Sequence, residues 1–301
     1  MLPPANPAAD GRTRIAGTPV AGRADELDSF LWLAWRQLGM PLFYPLFALG
    51  CGVALAVAAG VRMVYWHRQA RVRALRRSLS FISRNWFRLA CALKLLEWEA
   101  IDRPSRTAGH LIIANHPTLI DALFLIAVEP QLCCVLKAEL NANWVYRLLI
   151  SELDYLSNHD PEALLAEGEA RLRRGETLLV FPEGTRTVPG ERVSFRQGAA
   201  AIAVRAEAPV LPLFIDYHGA YLSKGYPWYR LPKQRMRYRL VYGAPLATGL
   251  LTTGDMRAAR AERRRVRREL TALLERWVSD AQAQSWLPQA RRPLSAVVGE
   301  R

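Results

Sequence analysis

Short apolar runs alternating with helical stretches, from His110 onward, most restrict what this chain can fold into. "HLIIAN" (110–115), "CCVLK" (133–137), "TLLVFPEG" (177–184) and "VLPLFID" (210–216) read as buried strands. Runs so continuously apolar suit strands covered on both faces, as in a parallel sheet. "LIDALFLIAV" (119–128) and "PEALLAEGEARLRRG" (161–175) lie between them with helical length, and Gly175 closes the second helix. "MRYRLVYGAP" adds a strand near residues 236 to 243. Strands alternating with helices predict an α/β fold: a mixed, mostly parallel sheet flanked by helices.

Ahead of this domain, "LGMPLFYPLFALGCGVALAVAAGV" runs from Leu38 to Val61 without a charge. That length crosses a hydrocarbon core as a helix, and it lies too deep in the chain for an ordinary signal peptide. Residues 38–64 are therefore expected to be a membrane anchor, behind a flexible leader over 1–37. Pro41 and Pro45 are expected to kink or shorten the helix, which leaves both a spanning and a re-entrant segment open. Arg62, Arg68, Arg71, Arg73, Arg76, Arg77, Arg84 and Arg88 follow, with no acid between Asp28 and Glu97. This bias predicts that the C-terminal side faces the cytoplasm, with the protein on the inner membrane. Leu75, Leu79, Ile82, Trp86 and Leu89 recur among the arginines at helical spacing. Residues 65–107 thus predict a basic amphipathic helix on anionic lipid, or one packed on the domain. The catalytic domain would span 108–250, and 251–301 a second basic helix with a loose tail. Ala259, Val266, Leu270, Leu273 and Trp277 form the stripe of that helix.

The formal charge is +14, and nearly all the basic residues are arginine, whose planar fork suits phosphate and carboxylate. Nucleic acid, an anionic membrane and an acidic carrier protein all fit that charge. No zinc-finger spacing or aromatic RNA-binding signature supports the first. With 51% apolar residues, the chain is not globally disordered. Cys51, Cys91, Cys133 and Cys134 form no metal or redox spacing, and the adjacent pair predicts buried free thiols.

Two stretches carry chemistry. In "NHPTLID", His116 leaves a strand into a turn, and Asp121 falls one turn into the next helix. A carboxylate there can fix one imidazole nitrogen while the other removes a proton. In "FPEGTRT", Glu183, Gly184, Thr185 and Arg186 follow a strand in a tight turn, where glycine admits close backbone approach and arginine offers a fork for phosphate. Either stretch alone is matched by ordinary turns; the pair, in this order, is not.

The pair resembles the first and third motifs, NHxxxxD and FPEGTR[ST], of the glycerolipid acyltransferases typified by bacterial 1-acylglycerol-3-phosphate acyltransferases. "VLPLFI" is similar to the fourth, with Pro212 at its proline, and "VLKAEL" places Lys137 at the family lysine. "FRQGAAAIA" is similar to the stretch that follows the third motif. The resemblance implies a membrane-associated enzyme in which His116 is the general base and Asp121 orients it. The nucleophile would be a lipid hydroxyl, and the donor an acyl thioester of coenzyme A or acyl carrier protein. Glu183, Gly184, Thr185 and Arg186 would hold the acceptor, with Lys137 and Arg186 nearest its phosphate and Pro212 shaping the acyl side. No metal or other cofactor is implied, because the thioester is already activated; membrane lipids are the expected partners and nucleic acid is not. "ELDYLSN" departs from the second motif, GxxFIxR, with Glu152 for its glycine and Asn158 for its arginine. That leaves the acceptor open between a lysophospholipid and another hydroxylated lipid, or an unusual acyl chain. A thioesterase, using water, and a non-enzymatic binder of nucleic acid or anionic lipid are the remaining alternatives.

Overall fold

The structure, a computed structural model, describes residues 30–101, 109–142, 144–187, 193–219, 221–226, 235–248 and 256–285. Helices α1 (Phe30–Val64) and α2 (Arg68–Ala92) precede strand β1 (Leu96–Ile101). There follow β2 (Leu111–Ala114), α3 (Asp121–Val128), β3 (Cys133–Leu136), a 3-10 turn (Ala138–Ala142) and α4 (Trp144–Glu152). Next come β4 (Leu156–Ser157), α5 (Pro161–Arg173), β5 (Leu178–Val180) and α6 (Gly198–Ala206). The order closes with β6 (Val210–His218), β7 (Met236–Tyr242) and α7 (Met256–Ser285).

The strands form one sheet in the order β1-β7-β6-β2-β5-β3-β4. Every neighbouring pair is parallel except β6 with β7, so the mixed, mostly parallel sheet expected from the alternating runs is present. The continuous apolarity of β2 and β6 has a direct cause. Ile112, Ala114, Leu211, Leu213 and Ile215 join the core layer under α2 and α3, with Phe87 and Phe124. Leu111, Ile113, Val210 and Phe214 join the opposite layer, with Leu172 of α5, Ile202 of α6 and Leu270 of α7. Both faces are dry, so neither alternates with polar residues. On α5, Asp160 caps the start by accepting from Glu162 N at 2.9 Å, and Gly175 follows the end at φ 80°.

Strand β1 corrects the expected boundaries. Residues 65–107 are not one helix: α2 ends at Ala92, and Leu96–Ile101 pairs with β7 as an edge of the sheet. A β strand in that position reads Leu-Glu-Trp-Glu-Ala-Ile, whose alternation is a strand pattern that the long arginine helix before it obscures. The catalytic fold thus begins ahead of residue 108.

The N-terminal segment also differs. Helix α1 starts at Phe30, inside the expected leader, and runs through both Pro41 and Pro45. Each proline removes only one backbone donor, and the surrounding turns hold the helix. Among the described residues no helix is long and apolar enough to cross a membrane. The side chains of α1 before Pro45, and most of the leader, lie outside the described residues.

The arginines of α1 and α2 are partly consumed inside the molecule. Arg62 pairs with Glu152 at 2.5 Å and Arg68 with Asp154 at 2.6 Å. Arg76, 4% exposed in its side chain, donates to the Leu153 and Asp154 carbonyls and pairs with Glu176 at 3.0 Å. Leu75 and Phe87 of α2 are buried, whereas Arg73, Arg77 and Arg88 remain exposed. Domain packing therefore claims one side of α2. On α7, Val266, Leu270, Leu274, Val278 and Ala281 are the buried stripe, with Leu273 and Trp277 half-buried at its margin. Ala259 and the tail beyond residue 285 lie outside the described side chains.

Candidate active site

The chain order reverses direction across the sheet at β2: β3, β4 and β5 lie on one side of it and β6 and β7 on the other. In open α/β sheets the crevice beyond the carboxyl ends of strands at such a point is where ligands bind. His116 leaves the carboxyl end of β2 there, and Phe181–Thr187 leaves the carboxyl end of the adjacent β5.

Asn115 anchors the exit. Its Nδ2 donates to the Ile215 carbonyl at 3.0 Å and its Oδ1 accepts from Ile215 N at 2.6 Å. The buried amide thus extends the β2–β6 ladder one step beyond the last strand residue. His116 follows with its ring stacked on Phe181, centroids 4.3 Å apart at 18°. Its Nδ1 lies 2.7 Å from Asp121 Oδ2. Asp121 is the first residue of α3 and fully buried, and it also accepts from Thr118 N at 2.7 Å. Among the described residues nothing bonds the other ring nitrogen, Nε2, and the histidine side chain is 21% exposed. A carboxylate on Nδ1 fixes the tautomer from behind and leaves Nε2 able to exchange a proton.

The loop after β5 is sewn to His116. The His116 N–H donates to Thr187 Oγ1 at 3.0 Å and to Glu183 Oε1 at 3.2 Å. Thr187 Oγ1 in turn donates to Glu183 Oε1 at 2.6 Å, and Thr187 N donates to the His116 carbonyl at 2.7 Å. Burial pushes the Glu183 carboxyl above the usual range, against the hydrogen bonds from Thr187 and His116 that favour its charge. Glu183 therefore joins the two loops, and its first oxygen is occupied by protein. Gly184 sits at φ 67°, and a Cβ there would stand 3.1 Å from Arg196 Nε. Both the turn and the guanidinium need glycine at this position. Thr185 is exposed, and Arg186 donates from Nη1 to the Leu222 carbonyl at 3.0 Å.

Two expected residues lie apart from this cluster. Pro212 is buried within β6, opposite Ile113. Gly243 donates to its carbonyl at 2.9 Å, and a Cβ on Gly243 would touch both Pro212 and Trp277 of α7. It serves the sheet and its α7 face, below the strand ends. Lys137 is exposed immediately after β3, in a turn closed by Asn158. Asn158 Oδ1 accepts from Ala138 N at 2.8 Å, while Asn158 N donates to the Leu136 carbonyl at 3.1 Å. The residue at the position of the family arginine thus bonds backbone on both sides of the lysine, through its side chain on one and its own N–H on the other.

Sequence reasoning passed over Asn115, Thr118, Thr187, Arg196 and Tyr238. The first four lie within or beside the quoted motifs, and their polarity at a strand exit was a usable signal. Tyr238 had none: it sits in a different strand, 120 residues from the Thr118 hydroxyl that it meets at 2.6 Å.

Comparison with known proteins bears on the family and the fold. Residues 97–216 match the acyltransferase family model, a span that starts at β1 and ends in β6. A probable 1-acyl-sn-glycerol-3-phosphate acyltransferase of Mycoplasma pneumoniae is 31% identical over 35% of this chain and 43% of its own. The 1-acyl-sn-glycerol-3-phosphate acyltransferase of Pseudomonas aeruginosa is 27% identical over 71% of this chain and 82% of its own. The chain thus spans less than half of the Mycoplasma relative and most of the Pseudomonas one. The crystal structure of the 1-acyl-sn-glycerophosphate acyltransferase from Thermotoga maritima shares the fold. Its TM-score is 0.53 at 19% identity, with 82% of this chain and 97% of that one covered.

Proposed function

We propose, from the match of residues 97–216 to the acyltransferase family model, that the protein moves a fatty acyl group from a thioester to a lipid hydroxyl. The donor is an acyl ester of coenzyme A or of acyl carrier protein, and the acceptor a lysophospholipid such as 1-acylglycerol-3-phosphate. His116 Nε2 takes the proton of the acceptor hydroxyl, and Asp121 stabilises the imidazolium through Nδ1–H. The alkoxide adds to the thioester carbonyl, a C–O bond forms and the C–S bond breaks. The departing thiolate recovers the proton from His116. Lys137, the free nitrogens of Arg186 and the exposed Arg196 supply positive charge for the acceptor phosphate. The observation that carries the reading is the 2.7 Å His116–Asp121 hydrogen bond at the mouth of the strand-order reversal.

The protein is proposed to work on a lipid surface, the cytoplasmic face of the inner membrane, whose anionic headgroups would attract the exposed arginines of α2. The exposed Leu46, Leu49 and Val53 of α1, with Met63, Tyr65 and Trp66 at its end, form an apolar edge suited to the headgroup boundary. This takes the place of a spanning anchor. Incubating the purified protein with acyl thioester and 1-acylglycerol-3-phosphate tests the reaction. Diacylated product supports the proposal; free fatty acid regardless of acceptor means hydrolysis and sinks it.

A further inference from the structure

The carboxylate behind His116 is itself held by a chain of hydroxyls that the two motifs do not contain in full. Asp121 has no exposed surface, so its lone pairs need protein donors. Oδ2 accepts from the imidazole and from Thr118 N, and Oδ1 accepts from Thr118 Oγ1. A threonine hydroxyl has one proton, and here it is committed to the carboxylate. The Tyr238 hydroxyl, 2.6 Å from the same Thr118 oxygen, is therefore the donor of that pair. The direction of the chain is fixed: Tyr238 OH to Thr118 Oγ1, Thr118 Oγ1 to Asp121 Oδ1.

We propose that Tyr238 and Thr118 are positioning residues for acyl transfer, a hydroxyl relay that locks the Asp121 carboxylate against the His116 ring. The inference rests on the reading of His116 as the base.

Without a donor on Oδ1, the carboxylate is held only through Oδ2, by the imidazole and Thr118 N, and gains freedom to rotate about its Cβ–Cγ bond. Fixing both oxygens removes that freedom, and a hydroxyl that accepts one hydrogen bond donates a stronger one. Tyr238 can hold its end because its ring cannot move. It is 1% exposed in β7, stacked on Phe124 at 5.1 Å and tilted against Tyr217 at 4.7 Å. Burial and the negative charge of Asp121 both keep its phenol protonated, so it remains a donor at every physiological pH. The other titratable groups facing the dyad are committed elsewhere or do not compete. The Tyr217 hydroxyl donates to the Tyr221 carbonyl at 2.5 Å, with Tyr226 beyond it, and Glu183 Oε1 serves the loop contact.

The test uses full-length Thr118→Val, Thr118→Ser, Tyr238→Phe and the Thr118→Val/Tyr238→Phe double variant. Two quantities are measured: kcat and KM for acyl transfer, and the downfield proton resonance of the His116 Nδ1–H in histidine-labelled protein. Five histidines make the spectrum tractable, and His116→Asn assigns the signal. Thr118→Val is expected to lower kcat by about 10–100-fold and Tyr238→Phe by about 3–10-fold, with KM within about twofold. Thr118→Ser stays near wild type, and the double variant loses no more than Thr118→Val alone. The resonance moves upfield in the same order. A Tyr238→Phe protein with unchanged kcat and an unmoved resonance overturns the relay, as do additive losses with no resonance shift. If the wild-type protein transfers no acyl group, the proposed reaction falls, while the resonance series still decides the relay.

Discussion

His116→Ala is expected to reduce acyl transfer by about 10²–10⁴-fold without unfolding the protein, because the ring stacks on Phe181 at a partly exposed position outside the core. Circular dichroism and turnover measured on the same sample check both halves of that statement. Glu183 permits a sharper distinction. Its Oε1 accepts two hydrogen bonds from the loops, and burial already disfavours its charge. Glu183→Gln keeps an acceptor oxygen and should stay within about tenfold of wild-type kcat, whereas Glu183→Ala leaves the buried Thr187 hydroxyl without its acceptor and should cost about 1–3 kcal/mol of stability. Equal loss in both variants would show that the charge itself is needed. At Asn158, the family arginine invites restoration, but the side chain here closes the Lys137 turn through Ala138 N. Asn158→Arg should therefore raise KM for lysophosphatidic acid by up to about tenfold, the worth of one hydrogen bond. A lower KM would place position 158 at the phosphate instead.

Among the elements, the pairing of α2 with the turn between α4 and β4 has the clearest consequence. Asp154 lies at φ 55°, which Asn also tolerates, and it meets Arg68 and Arg171 through its carboxylate. Burial acts to raise its carboxyl, but hydrogen bonding and charge from Arg171, with Arg68 and Arg76, hold it below the usual carboxylate range. Asp154→Asn removes one of the carboxylates around the 4%-exposed Arg171, leaving Glu167 and Glu176, and should cost about 1–3 kcal/mol in denaturant unfolding, the worth of a charged hydrogen bond. A depressed carboxyl stabilises the fold above its unfolded value and loses that contribution as pH falls through the folded one. The gap between wild type and Asp154→Asn should then be constant from about pH 7 to about pH 5 and close only in stronger acid, below the ordinary aspartate range. A gap that closes at neutral pH would mean another group is responsible. The adjacent pair Arg62–Glu152 is 64% exposed on the arginine side and should contribute little.

For the whole molecule, the apolar edge of α1 and the exposed arginines of α2 should cooperate on lipid. Trp66 is 95% and Leu49 64% exposed, and burying such a side chain contributes about 1.5–3 kcal/mol. Trp66→Ala and Leu49→Ala should each weaken binding to vesicles containing phosphatidylglycerol by about tenfold in co-sedimentation. Added salt should weaken it further, since the Debye length is about 8 Å at physiological ionic strength. Binding unchanged in both variants would rule out this edge as the lipid contact.

The amino-acid pattern alone specifies the sheet class, because both faces of β2 and β6 are covered and their residues had to be continuously apolar. It also determined the His116–Asp121 pair, because five positions across a strand exit and the first turn of a helix are a local distance. The same locality made Gly184 and Gly175 legible, since each turn demands a positive φ that glycine adopts freely. What it did not determine is the use of residues whose partners are remote in the chain. Local periodicity marked α2 as basic and amphipathic, but only the fold brought Glu152, Asp154 and Glu176 to its arginines. Pro212 carried a motif position, yet its depth in β6 was set by the register with β2. Tyr238 reaches Thr118 only because β7 lies antiparallel beside β6, which places its ring behind the carboxylate. Periodicity encodes which face of an element is buried; the pairing of elements decides what each buried polar group meets there.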